Sequence, residues 1–173
     1  MAGANTQFQL HPTLAADTVC LGDLPLCRVL LARESRYPWL ILVPRRAGIR
    51  EIYELEDEAA TLLAESCSVA RLMQASLMPD KLNIASIGNV VDQLHLHHVA
   101  RFHEDAAWPK PIWGLLPPKP YQDEALVTAI VRWQQWLSVL PEFVPANWRN
   151  DLPLKRRCCS NQGTIPQFGD LIS

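Results

Sequence analysis

Three of the five histidines of this chain fall within four positions, in the stretch Gly88 to Phe102, GNVVDQLHLHHVARF. In a β-strand, residues i and i+2 share a face, with Cα atoms about 6.5–7 Å apart. Gln93, His95 and His97 then line one side of the segment, while Leu94, Leu96 and His98 line the other. Polar side chains in register between apolar neighbours need polar partners, because an unsatisfied buried group costs roughly 1–3 kcal/mol. Three uses compete. The imidazoles could be hydrogen-bonded structural groups. They could chelate zinc or a similar ion, since His-x-His on a strand supplies two ligands. The third ligand would come from His11, His103 or Glu104, none of them at a decisive spacing. Or one neutral imidazole could attack phosphorus while its neighbours hold the phosphate oxygens.

The frame that must position these residues is a protein of 173 residues, 49% apolar and 20% charged, with a formal net charge of −2. That length favours one domain, and the charge excludes a generally basic nucleic-acid binder. No run reaches the ~18 apolar residues of a membrane span. The first thirty residues carry no signal-peptide pattern. Cysteines 20, 27, 67, 158 and 159 are odd in number and are expected to be reduced, which places the chain in the cytoplasm.

The hydrophobic pattern divides the chain into elements. TVCLGDLPLCRVLLA predicts a hairpin turning at Gly22-Asp23. YPWLILVPRR predicts a strand buried on both faces, entered after Pro38 and closed by Pro44. A long helix is expected over 56–77, with Leu62, Ser66, Val69, Ala70, Met73 and Leu77 on one stripe and Glu56, Asp57 and Glu58 at its positive end. KLNIASIG and QLHLHHVAR predict two further strands. Five prolines between Pro109 and Pro120 impose an extended loop that carries Trp113. QDEALVTAIVRWQQWLSVL predicts a second helix facing inward through Leu126, Ile130, Trp133 and Leu137. Residues 1–140 are thus expected to form the domain, and residues 141–173, with the cluster KRRCC, a loosely ordered tail. Helices inserted among consecutive strands indicate an α+β fold.

The segment Gln93-Leu94-His95-Leu96-His97-His98-Val99, followed by Ala100-Arg101, resembles the signature of the histidine triad (HIT) superfamily of nucleotide hydrolases and transferases. WLILVPRR before the long helix is similar to that family's apolar strand, and KLNIASIGNVV to its phosphate-contacting strand and loop. The resemblance spans roughly residues 8 to 116. Within the superfamily it leans to a bacterial subset described as diadenosine-tetraphosphate hydrolase-like, in which Gln-φ-His-φ-His (φ, apolar) precedes AWPxPxWG, here Ala107 to Gly114.

The resemblance implies a HIT-like fold: a five-stranded antiparallel sheet with a long helix packed on it, a second C-terminal helix, and a homodimer. It implies a purine nucleotide or dinucleoside polyphosphate as substrate, with no membrane or nucleic acid as partner. His95 matches the nucleophile that forms a nucleotidyl-histidine, and His97 the histidine that contacts phosphate. Asn83 and Asn89 fall where the family uses amides near ribose and phosphate, and Glu34 where an acidic residue accepts the ribose hydroxyls. Neither metal nor cofactor is expected, since a histidine nucleophile with hydrogen-bond donors suffices. Three positions depart from the pattern, two of them by losing a titratable group and His98 by standing at an apolar position. Gln93 replaces the first histidine and is expected, with His97, to hold phosphate oxygens; an amide can donate a hydrogen bond to a phosphoryl oxygen or orient a neighbour but cannot act as an acid near neutral pH. Trp39 stands where a fourth, upstream histidine often sits. Each removes a titratable group, so a nucleotide-binding protein with little catalysis is the alternative. His98, on the opposite face, is expected to pack or hydrogen-bond.

Overall fold

The computed structural model describes residues 7–150. The KRR cluster, Cys158, Cys159 and all of the expected tail beyond residue 150 lie outside the described residues.

A six-stranded antiparallel sheet forms the frame. In chain order come α1 (Pro12–Asp17), β1 (Thr18–Asp23), β2 (Cys27–Ala32), β3 (Trp39–Pro44), α2 (Glu58–Leu77), β4 (Lys81–Ser86), β5 (Leu96–Arg101), α3 (Asp123–Leu137) and β6 (Val144–Pro145). The sheet order is β4-β5-β3-β2-β1-β6. Strands β2 and β3 are central, which explains their continuous apolar runs: Val29, Leu30, Leu31, Leu40, Ile41, Leu42 and Val43 are all buried. The two helices pack on one face. Leu62, Val69 and Met73 of α2 and Leu126, Ile130, Trp133 and Leu137 of α3 share a core with Leu31, Leu40, Leu42, Leu96 and Ala100. The opposite face carries Leu30, Ile41 and Val43 beside Leu14 of α1.

Three sequence expectations need correction. The hairpin does not turn at Gly22-Asp23 but at 24–26, where the Leu24 amide donates to the Cys27 carbonyl at 2.8 Å. Its geometry is set from α2. The carboxylate of Glu65, buried on that helix, accepts from the Leu26 amide at 2.7 Å and the Cys27 amide at 2.9 Å. Burial and this carboxylate push the Cys27 thiol up, leaving it an unreactive core group. Gly22 serves another purpose. The strand register shifts between Cys20 and Gly22, and Gly22 pairs with Pro145. A Cβ there would collide with the Val144 carbonyl and the Phe143 ring.

The second correction follows from that pairing. Five six-residue strands form as expected, and β6 adds a two-residue sixth from beyond residue 140. The start of the expected tail is therefore docked: the Ala146 amide donates to the Leu21 carbonyl at 3.0 Å, and the Trp148 indole to Gln134 Oε1 at 3.1 Å. The third concerns the histidine strand, which begins at Leu96 rather than Gln93. The lead-in makes other bonds, from the Leu94 amide to the Ile49 carbonyl at 2.9 Å and between His95 Nδ1 and the Gln93 carbonyl. The short helix α1 was absent from the sequence reading, although Pro12 at its first turn is a signal for it.

Candidate functional site

Strands β3 and β5 pair so that Trp39 stands opposite Val99 and Ile41 opposite His97. Those side chains share the face away from the two long helices. There Trp39, Ile41 and His97 floor a cleft of ≈ 880 Å³, walled by Leu14 and Asp17, by Arg33 and Glu34, by the loop at Asn89–Val91, and by Ile112 and Trp113 with the prolines that follow.

His95 and His97 are brought together in this cleft, 5% and 6% exposed, with ring centroids 4.8 Å apart and planes nearly perpendicular. Each has one ring nitrogen engaged. His95 Nδ1 lies 2.7 Å from the Gln93 carbonyl. A carbonyl only accepts, so Nδ1 carries the proton and the neutral ring keeps its lone pair on Nε2. His97 Nδ1 accepts from the Trp39 indole N–H at 3.1 Å, which leaves the proton of the neutral His97 ring on Nε2. Burial, then the proximity of His95 and His98, depress the His97 pKa to about 3. One imidazole therefore presents a lone pair and its neighbour an N–H, a pair suited to attacking a phosphorus while holding one of its oxygens.

His98 points the other way. It is fully buried against α2, where Nδ1 donates to the Leu96 carbonyl at 3.3 Å and Nε2 accepts from the Ser66 hydroxyl at 2.8 Å. Burial lowers its pKa to about 4.

The remaining expected residues divide. Asn89 lines the cleft, exposed and without a side-chain partner among the described residues. Gln93 does not line it: Oε1 accepts from the His11 amide and Nε2 donates to the Gln9 carbonyl, both at 2.9 Å. Its amide pins the N-terminal segment, while its backbone carbonyl orients His95. Asn83 is also outside the cleft, accepting from Arg101 Nη1 at 2.8 Å. Glu34 lines the wall, but its oxygens already accept four hydrogen bonds. Three come from Arg36 and one from the Lys119 amide. The Arg36 guanidinium holds the Glu34 carboxyl down at about 2.

Two contributors went unassigned in the sequence. Arg101, 2% exposed, pairs with Asp105 through Nε at 2.6 Å and Nη2 at 3.0 Å, and donates to the Lys110 carbonyl at 3.0 Å. It thereby braces the loop that leads to Trp113. Trp113 packs with its ring tilted against His97 at 5.5 Å and edge-on to Trp39 at 6.2 Å between centroids, and its buried indole nitrogen has no partner among the described residues. The proline-rich run and the AWPxPxWG motif were the signals for that wall. No group of three His, Cys, Asp or Glu side chains among the described residues is arranged to hold a metal ion. Of the candidate third ligands, His103 Nδ1 instead pairs with Asp80 at 2.8 Å and His11 Nδ1 accepts from the Thr13 amide at 3.2 Å. No helix among the described residues is long and apolar enough to cross a membrane.

Comparison with known proteins agrees with this fold. Residues 13–104 match the model of the HIT domain. A histidine triad protein from Marinobacter aquaeolei VT8 is 49% identical, with a TM-score of 0.75 over 78% of this chain and 98% of that one. A histidine triad protein from Bradyrhizobium japonicum is 42% identical, with a TM-score of 0.71 over 77% of this chain and 97% of that one. One from Sinorhizobium meliloti 1021 is 38% identical, with a TM-score of 0.72 over 76% of this chain and 98% of that one. No curated protein matches. With its α+β antiparallel sheet, its two main helices and its paired histidines in the cleft, the chain belongs to the HIT domain family.

Proposed function

We propose that the chain is an enzyme that cleaves or transfers a nucleoside-phosphate group through a covalent intermediate on His95. The family is mostly one of nucleotide hydrolases and transferases. The observation that carries the reading is the 2.7 Å bond from His95 Nδ1 to the Gln93 carbonyl, because it orients the ring and selects the tautomer whose lone pair lies on Nε2. In the first step Nε2 forms a bond to phosphorus, and the leaving group departs with the electron pair of the bond that breaks. His97 Nε2–H and the Asn89 amide hold phosphoryl oxygens. In the second step water attacks phosphorus, the P–N bond breaks with its pair returning to Nε2, and the water proton passes to solvent. A second nucleophile in place of water makes the enzyme a transferase. The substrate is a purine nucleotide derivative or a dinucleoside polyphosphate, in keeping with the resemblance to the diadenosine-tetraphosphate hydrolase-like subset. No step calls on a metal. Glu34 and Asn83 act indirectly, Glu34 by tying Arg36 to the 117–120 wall and Asn83 by supporting Arg101.

The chain is further proposed to work as a cytoplasmic homodimer. Strand β4 is an edge strand with Ile84 46% exposed, and α2 exposes Leu63 at 63%; the unpaired edge and these apolar side chains are what a second copy would cover. Sedimentation at micromolar concentration should give twice the 19.5 kDa chain mass; a single 19.5 kDa species would exclude the dimer.

A second reading, nucleotide binding with little catalysis, is favoured by the Gln93 amide, whose two groups are spent on Gln9 and His11. The site then has no titratable group at that position to protonate a leaving group. Turnover of a panel of adenosine phosphoramidates and dinucleoside polyphosphates decides between them. The enzyme reading predicts mononucleotide release that falls ~10³-fold or more in His95→Ala, with nucleotide affinity kept within about tenfold. Binding without release across the panel leaves only the second reading.

A further inference from the structure

Trp39 occupies a position where the family resemblance suggests an imidazole, and the geometry assigns it a use of its own. We infer that Trp39 is a positioning residue that locks His97 in the Nε2–H tautomer, making that N–H a fixed donor into the cleft. The consequence for the reaction rests on the phosphoryl-transfer reading above; the tautomer itself does not.

An indole N–H donates and has no acceptor lone pair in the ring plane. Trp39 Nε1 lies 3.1 Å from His97 Nδ1, so Nδ1 must be the acceptor. In the other tautomer two N–H groups would face each other, at a ring that is only 6% exposed. The ring has little freedom to turn away. Trp39 stands opposite Val99 and His97 opposite Ile41 on paired strands, so the two side chains are diagonal neighbours on one face. Trp39 and Trp113 also flank the imidazole at 5.3 Å and 5.5 Å between ring centroids.

An imidazole at position 39 could either donate or accept, leaving both His97 tautomers accessible and the pair able to relay a proton. The indole removes that choice. The cleft then holds two histidines in opposite tautomers, each fixed by a group that does not titrate: His95 by the Gln93 carbonyl and His97 by the Trp39 indole. Gln93 and Trp39 thus fit one arrangement, in which hydrogen-bond roles are set by groups of fixed polarity rather than by protonation equilibria.

The test is long-range ¹⁵N–¹H correlation spectroscopy on the full chain at pH 7.5, which reads each histidine tautomer directly, coupled to steady-state kinetics. In the wild type, His97 is expected to show a protonated Nε2 and an unprotonated Nδ1. Trp39→Phe, which keeps an aromatic ring but removes the donor, should mix the tautomers and lower kcat about tenfold, the value of one neutral hydrogen bond, with KM changed less than threefold. Trp39→His should restore part of the Nε2–H population. The signals of His98, bonded to Ser66 and Leu96, report in the same spectra that each variant is folded. A protonated Nδ1 on His97 in the wild type, or an unmixed Nε2–H tautomer in Trp39→Phe, overturns the inference. A mixed tautomer in Trp39→Phe with no turnover by any protein, wild type included, upholds the lock on His97 and removes the enzyme reading alone.

Discussion

Acidification should destabilise the fold in a window set by two buried imidazoles. His97 and His98 are 6% and 0% exposed, with pKa values depressed to about 3 and about 4, in both cases chiefly by burial. In the unfolded chain both return to the ordinary histidine value of ~6.5. Below that value the unfolded state binds two protons that the folded state refuses, so stability falls with falling pH, by about 2.7 kcal/mol per pH unit for the pair. The loss begins near pH 6.5, reaches roughly 4 kcal/mol by pH 5, and levels off only below the folded-state values. That is a large part of the ~5–15 kcal/mol typical of a domain. The carboxylate contribution is separate. Glu34, held at about 2 by Arg36, stabilises the fold above the ordinary carboxylate range, and that stability is lost only as pH falls from ~4.5 toward 2. Urea unfolding between pH 8 and pH 5 measures the effect. His98→Gln removes one of the two groups and should halve the slope to about 1.4 kcal/mol per pH unit, whatever its effect on stability at pH 8. A flat profile from pH 7 to pH 5, or an unchanged slope in His98→Gln, would show that these rings are not held neutral and would undercut the donor role given to His97.

The other predictions concern braces around the site. Arg101→Met leaves Asp105 (5% exposed side chain) without its guanidinium; it should cost about 3–5 kcal/mol in urea unfolding, and a loss below 1 kcal/mol would refute the brace. Glu65→Gln replaces two accepting oxygens with one and turns an N–H₂ toward a backbone amide, so it should cost roughly 2–3 kcal/mol, measured by thermal melting at pH 7. Glu34→Gln weakens the hold on Arg36 and Lys119 and should raise KM severalfold with kcat nearly unchanged. A fall in kcat alone would place Glu34 closer to the reacting atoms than the cleft geometry does.

What the sequence made legible follows the range of the interactions. The central strands were readable because burial on both faces leaves an uninterrupted apolar run, as in Leu40–Val43. The opposite directions of His97 and His98 follow from strand alternation, and the helix face of Leu126, Ile130, Trp133 and Leu137 from helical spacing. The features that escaped are set across long stretches of chain. The hairpin turn is fixed by Glu65, about forty residues downstream. The Gln93 amide is bound by Gln9 and His11, more than eighty residues upstream, so its spacing from His95 suggested a place in the cleft that its side chain does not take. Glu34 and Asn83 have the right chemistry for a ligand, but their acceptors are engaged by Arg36, Lys119 and Arg101. Arg36, two residues from Glu34, is a local competitor, whereas Lys119 and Arg101 lie far along the chain from the acceptors they engage. The tryptophan at position 39 could be noticed as a departure from the triad pattern, yet its bond to His97 appears only when β3 and β5 are paired.

The central claim is that His95 carries the nucleotide. Turnover mixtures of the wild type with an adenosine phosphoramidate, trapped cold in denaturant at alkaline pH and followed by intact-mass measurement and peptide mapping, test it most directly. The account predicts one added nucleoside monophosphoryl group, lost on mild acid treatment, mapped to His95, and absent in His95→Ala. Efficient turnover with no adduct, or an adduct mapped to His97, would contradict it.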